Sequence, residues 1–244
     1  MRQDLSNKEL YSFGIFGAPL SHYIYLAEYV EKEFQPDIYI FLIVNNDFDE
    51  SLYESKTIVE GGYQTWKIKE NKVKEVKPTN PLELGLKRQI KLLLKKSALI
   101  RYMSYNLDLL KAHKRRKIKT VKKGGLIAKD QFENDSLNIK RAVDHSFKEI
   151  RELLSPKRVV IVHTATEVNI YRDDPEHQKT DILYKISQRS AEVNGLEYLD
   201  LRPYFRDDFK KMGKKFSIPK DGHRNEYGHE LTSKILLSEL DLDQ

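Results

Sequence analysis

Pro36-Asp37-Ile38-Tyr39-Ile40-Phe41-Leu42-Ile43-Val44-Asn45-Asn46-Asp47 decides the reading of the fold. From Ile38 to Val44 the run is apolar without a break, and turn formers bound it on both sides, which describes a short strand buried on both faces of a parallel sheet. The run stops at Asn45-Asn46-Asp47, so polar groups emerge at the carboxyl end of the strand, the edge along which open α/β sheets line their binding crevices. Asn46 is therefore a candidate donor to a developing oxyanion, against the plainer reading of an Asn/Asp turn that closes a strand.

Outward from this strand, the chain alternates apolar runs with amphipathic periodicity. Arg158-Val159-Val160-Ile161-Val162-His163 and Leu196-Glu197-Tyr198-Leu199-Asp200-Leu201 read as two further strands. Helical periodicity covers residues 20 to 34, 139 to 154, 180 to 194, where Asn194-Gly195 supplies a C-cap, and 226 to 239. The expected class is α/β, a three-layer doubly wound parallel sheet. Tyr11-Ser12-Phe13-Gly14-Ile15-Phe16-Gly17 reads as another strand, ending at a glycine whose bare N–H is a second candidate oxyanion donor.

Residues 48 to 135 break that rhythm and are expected to be an insertion within a single domain of residues 1 to 244. Gly61 to Val76 reads as a hairpin turning at Glu70-Asn71, and Leu84 to Leu110 as helical. The chain carries a net charge of +6. Residues 85 to 125 hold 14 Lys plus Arg against Asp108 alone, +13, which leaves −7 for the remainder. Lys114-Arg115-Arg116-Lys117 is the candidate contact for an anionic surface, with a solvated basic loop as the alternative. Tyr102 and Tyr105 fall in the apolar helical pattern, so sequence-specific nucleic-acid binding is not expected.

The loop Ile218-Pro219-Lys220-Asp221-Gly222-His223-Arg224-Asn225 runs into the last helix, with Pro219 and Gly222 breaking regular structure and Asn225 suited as N-cap. Asp221 and His223 form a candidate acid and imidazole pair at the mouth of that helix. The competing reading is a loop histidine tied to a neighbouring carboxylate for structure alone. Arg202, beside Asp200 at the end of the last strand, is a candidate contact for an anionic substrate. His163 ends a strand, and packing is its expected role. Asp173, Asp174 and His177 read as solvated loop residues.

Strand then glycine, strand then Asn-Asp, and a late Asp-x-His before a helix together resemble the SGNH hydrolase family, which comprises GDSL-type esterases and acetyl-ester hydrolases or transferases. The resemblance implies a flavodoxin-like SGNH fold and an ester hydrolase or O-acyl (acetyl) transferase acting on a carbohydrate or small acyl ester. It implies Gly17 and Asn46 as oxyanion donors, His223 as base and Asp221 as its orienting acid. Val44 departs from the glycine that usually opens the third family block.

One family block has no counterpart: no Gly-Asp-Ser occurs anywhere in the chain. A triad needs a hydroxyl within reach of the imidazole, so the chain as it stands is expected to be inactive by the family mechanism. Ser6, Ser12 and Ser21 lack the strand and tight turn that expose a nucleophile. The family's first strand lies between those ending at Gly17 and Asn46, and losing it would strand buried backbone groups at about 1 to 3 kcal/mol each, against a typical stability of about 5 to 15 kcal/mol. Two expectations follow: Met1 is an internal methionine of a longer, truncated protein, or the region before residue 36 is rearranged.

With 39% hydrophobic and 33% charged residues the composition is that of a globular protein. The absence of cysteine excludes disulfides, thiolate metal sites and a cysteine nucleophile. His223 and His229 have no cluster of acids around them, and neither a metal nor a cofactor is expected. The sequence shows no signal peptide and no apolar run of membrane-spanning length. Compartment and oligomeric state are left open: cytoplasmic if the chain is complete, extracytoplasmic or membrane-anchored if an N-terminal segment precedes it. The competing function is a noncatalytic glycan-, polyanion- or membrane-surface-binding protein that uses the crevice and residues 85 to 125.

Overall fold

The computed structural model describes residues 8–15, 17–53, 62–78, 90, 97–99, 129–171, 176–219 and 222–242. Residues 1–76 and 136–244 form one unit and residues 77–135 a second. The basic stretch around Lys114, Arg115, Arg116 and Lys117 lies outside the described residues, as does Asp221.

A three-stranded parallel sheet organises the first unit in the order β1 (Ile38–Ile43), β4 (Arg158–His163), β5 (Glu197–Asp200). Its central strand carries Val160, Ile161 and Val162, all fully buried, as expected where both faces are covered. Alternation then sorts the side chains. Tyr39, Ile43, Val159 and Ile161 enter one apolar cluster with residues of α1 (Leu20–Glu33), α3 (Lys129–Leu154) and α5 (Glu176–Val193). Val160 and Val162 enter another with residues of α6 (Arg202–Met212) and α7 (Glu226–Glu239). The architecture is therefore α/β, with helices on both faces of the parallel sheet. The strand order is sequential, so the crossovers from β1 to β4 and from β4 to β5 lay α3 and α5 on one face, and the C-terminal helices cover the other.

The remaining elements are α2 (Asn46–Glu50), the antiparallel hairpin of β2 (Thr65–Lys69) and β3 (Lys72–Val76), and α4 (Glu167–Tyr171). The hairpin turns at Glu70 and Asn71, both with positive φ, the conformation a two-residue hairpin turn requires. It belongs to the first unit, because Trp66 is buried in the core and donates its indole N–H to Ser146 Oγ of α3 at 2.8 Å. The helix expected from residue 139 begins at Lys129, and the one expected from 180 begins at Glu176.

Residues 11–15 correct the sequence reading, for they form no strand. Tyr11 and Phe13 instead pack their rings on Phe34, with centroids 5.0 and 5.1 Å away, so the apolar character of the run serves an aromatic cluster at the end of α1 and not a ladder. No described strand pairs with the side of β1 opposite β4.

Candidate functional site

The carboxyl ends of β1 and β4 meet in a network built around His163. Beyond β1, Asn45 occupies the N-cap position of α2 without capping it, because its Oδ1 faces His163 Nε2 at 2.8 Å. His163 Nδ1 lies 3.0 Å from the Tyr198 hydroxyl of β5. The imidazole is 0% exposed and stacks on the Tyr184 ring at 3.7 Å between centroids. Burial, reinforced by the Arg202 charge, holds the His163 pKa well below its ordinary value. A neutral ring that donates from Nε2 to Asn45 and accepts at Nδ1 from Tyr198 satisfies both nitrogens. His163 thus packs beneath the turn that starts with Asn45 and holds it by the Nε2 contact.

Arg202 covers the other face of Tyr184, its guanidinium carbon 3.5 Å from the ring centroid. Nε bonds both oxygens of Asp200 at 3.1 and 2.9 Å, Nη2 adds a third contact at 2.7 Å, and Nη1 pairs with Asp181. The fork offered by the sequence as an anion contact is thus engaged by two carboxylates of the chain itself.

Asn46 opens α2, exposed, and its side-chain amide has no hydrogen-bond partner among the described residues. Its neighbour Asp47 fixes the turn: Asp47 Oδ2 accepts the Val44 N–H and the Tyr23 hydroxyl, each at 2.9 Å. Burial outweighs those hydrogen bonds and pushes the carboxyl from 3.8 up to about 7. The folded state therefore holds this proton more tightly than the unfolded chain does, so the contribution of Asp47 to stability is complete below about pH 4 and is lost as pH rises through 7. Asp47→Asn keeps an oxygen to accept both hydrogen bonds and removes the ionisation. Thermal denaturation should show it about as stable as the parent at pH 4 and more stable at pH 8, by roughly 1 to 2 kcal/mol. Equal differences at the two pH values would rule out Asp47 as the titrating group.

Gly17 adopts a positive φ of 69° in an exposed turn before α1. The first turn of α1 is tied to the residue after α2 by the Ser21 N–H, which donates to Ser51 Oγ at 3.0 Å. The Gly17 turn therefore lies toward the end of the sheet where Asn46 emerges. Ser21 itself is buried and donates its hydroxyl to the Gln64 carbonyl at 2.6 Å, which removes it from any nucleophilic role.

His223 is exposed on the loop between α6 and α7. The loop closes on itself through the Ile218 N–H to His223 O at 2.7 Å and a bridge between Ser217 and Arg224. It is fastened to α4, since the Phe216 N–H donates to the Tyr171 hydroxyl at 2.7 Å and the Ser217 hydroxyl to the Glu167 carboxylate. Glu167 follows His163 after a short link, so the loop that carries His223 is anchored to the helix that follows β4. Arg224 turns inward, its guanidinium carbon 4.6 Å from the Phe205 ring centroid and Nη1 bonded to the Thr232 hydroxyl. Burial lowers its pKa to about 10, which leaves it charged at neutral pH.

Asn45, His163, Tyr184, Arg202 and Asp200 form one contiguous network of hydrogen bonds and ring contacts, while Gly17, Asn46 and His223 stand on three separate elements. Among the described residues no group of His, Asp and Glu could hold a metal ion, and no helix is long and apolar enough to cross a membrane. No family model matches the chain, and no curated protein or solved structure matches it.

Proposed function

We propose that the chain is an SGNH-type α/β domain acting on O-acyl esters, as an ester hydrolase or acetyl transferase for a carbohydrate or small acyl ester. One observation supports this reading: the loop that carries the exposed His223 is fastened through Ser217 and Phe216 to α4, which follows β4, and Asn46 follows β1, the strand paired with β4. In the proposed chemistry His223 takes a proton from a hydroxyl that attacks the acyl carbon, and the Asn46 amide and Gly17 N–H receive the oxyanion. The proton then passes to the departing alkoxide. Asp221 is the orienting acid in this scheme. Without a family serine, that hydroxyl belongs to water or to the acyl acceptor, and turnover is correspondingly slow.

The test is hydrolysis of p-nitrophenyl acetate by the purified protein and by His223→Ala, a substitution at an exposed loop position that leaves the fold intact by circular dichroism. Hydrolysis above the buffer rate, falling by about 100-fold or more in the variant, is the expected result. Equal rates for the two proteins would remove His223 as the base. Binding of an acetylated sugar with no turnover in either would assign the crevice to a noncatalytic role.

A further inference from the structure

Among the described residues the parallel ladder uses one side of β1 only. Asp37 O accepts the Arg158 N–H at 3.3 Å and Ile43 O the Thr164 N–H at 3.0 Å, so Asp37, Tyr39, Phe41 and Ile43 turn their backbone groups toward β4. Ile38, Ile40 and Leu42 turn theirs the opposite way, where no described strand lies. Among the described residues only the top of this edge is covered, by the Asp47 carboxylate on the Val44 N–H at 2.9 Å and the Tyr23 hydroxyl 3.5 Å from Leu42 O. Proteins commonly blunt such edges with lysine, proline or a bulge, and Ile-Tyr-Ile-Phe-Leu-Ile contains none of these.

A groove of about 430 Å³ runs along this edge, lined by residues 9–15 and by Tyr23, Ala27 and Val30 of α1. Tyr11, Ile15 and Leu42 are 49%, 44% and 45% exposed at its rim. Glu9 is the one charged residue among the described residues that line it. We propose that this groove receives an extended, uncharged, apolar segment of a partner polypeptide, which adds to the free edge of β1 as a strand.

The chemistry of the edge selects that occupant. Outward backbone donors and acceptors at every second residue are matched by another extended backbone, whereas a lipid chain leaves them unpaired. A charged segment would lose hydration against the apolar walls without gaining a partner. A second copy of the chain would bring a β1 already backed by β4, a whole sheet in place of a single strand.

An acetylated and amidated octapeptide of alternating threonine and valine is the probe, titrated by calorimetry. Saturable binding to the parent protein is expected, at least tenfold weaker for Leu42→Lys, which places a cation on the edge. Ile40→Pro should weaken it comparably, because the N–H it deletes faces the groove and takes no part in the ladder to β4. His223→Ala should bind the peptide as the parent does, which separates this site from the proposed ester chemistry. Absence of saturable binding, or equal binding by Leu42→Lys, would overturn the proposal. So would a dimer in sedimentation that Leu42→Lys dissolves, since a second copy would then occupy the edge.

Discussion

Gly228→Ala is expected to lower the melting temperature by roughly 5 to 10 °C, although alanine is the better helix former. Gly228 sits in the first turn of α7, where its N–H is capped by Asn225 Oδ1 at 2.9 Å. A Cβ there would lie 2.3 Å from the Phe216 carbonyl oxygen and 3.1 Å from Phe216 Cβ. That oxygen already accepts the Asn225 N–H at 3.0 Å, so it is backbone fixed on both sides and does not yield as a flexible side chain would. Overpacking costs about 1 to 3 kcal/mol, and contact with backbone puts this site at the upper end even after a propensity gain of about 1 kcal/mol. Because Phe216 leads into the loop that carries His223, any ester hydrolysis should fall further than the loss of folded protein explains. A melting temperature equal to the parent's would show that the loop and α7 separate freely, and would weaken the idea that the loop is held in place.

The same loop shows how far the sequence could be read. Asn225 as N-cap, Pro219 and Gly222 as breakers and an exposed His223 are local properties, legible because caps and turns depend on neighbours in the chain. The strand Ile38–Ile43 was equally legible, since a short apolar run between turn formers has few other uses in an α/β protein. Tyr11–Gly17 offered nearly the same pattern and is not a strand among the described residues. Its aromatic rings find Phe34 instead, and periodicity cannot distinguish a ladder partner from a ring partner. Arg202 was recognised as a charge at the sheet edge, but its engagement by Asp181 depends on a helix that packs there only in the folded chain. His163 was expected to pack and does so. Its partners Asn45 and Tyr198 lie 118 and 35 residues away, and no local signal connects them.

That long-range network gives the second large effect. His163→Ala should destabilise the protein by about 4 kcal/mol, within the range for emptying an aromatic-sized site in a core. Two losses combine there: the ring stacked on Tyr184 and packed beside Phe48, and the hydrogen bonds to Asn45 Oδ1 and to the Tyr198 hydroxyl, which keeps a longer contact to the Tyr184 carbonyl at 3.4 Å. His163→Phe separates them. Phenylalanine restores most of the volume and the stacking but neither hydrogen bond, so a cost of about 1 to 3 kcal/mol should remain. The cost of either variant should also shrink as the pH falls below about 6.5. In the parent, the unfolded chain gains a proton on His163 that the folded state refuses, so this residue's contribution to stability is lost toward acid. Denaturant melts of the three proteins between pH 5 and 8 provide the check. If His163→Phe matched the parent at pH 8, the hydrogen bond to Asn45 would contribute nothing, and the turn presenting Asn46 would owe its position to Asp47 and Tyr23 alone. If the cost of His163→Phe persists, and pairing it with Asn45→Ala costs less than the sum of the single changes, then the buried imidazole positions the turn that carries Asn45 and Asn46.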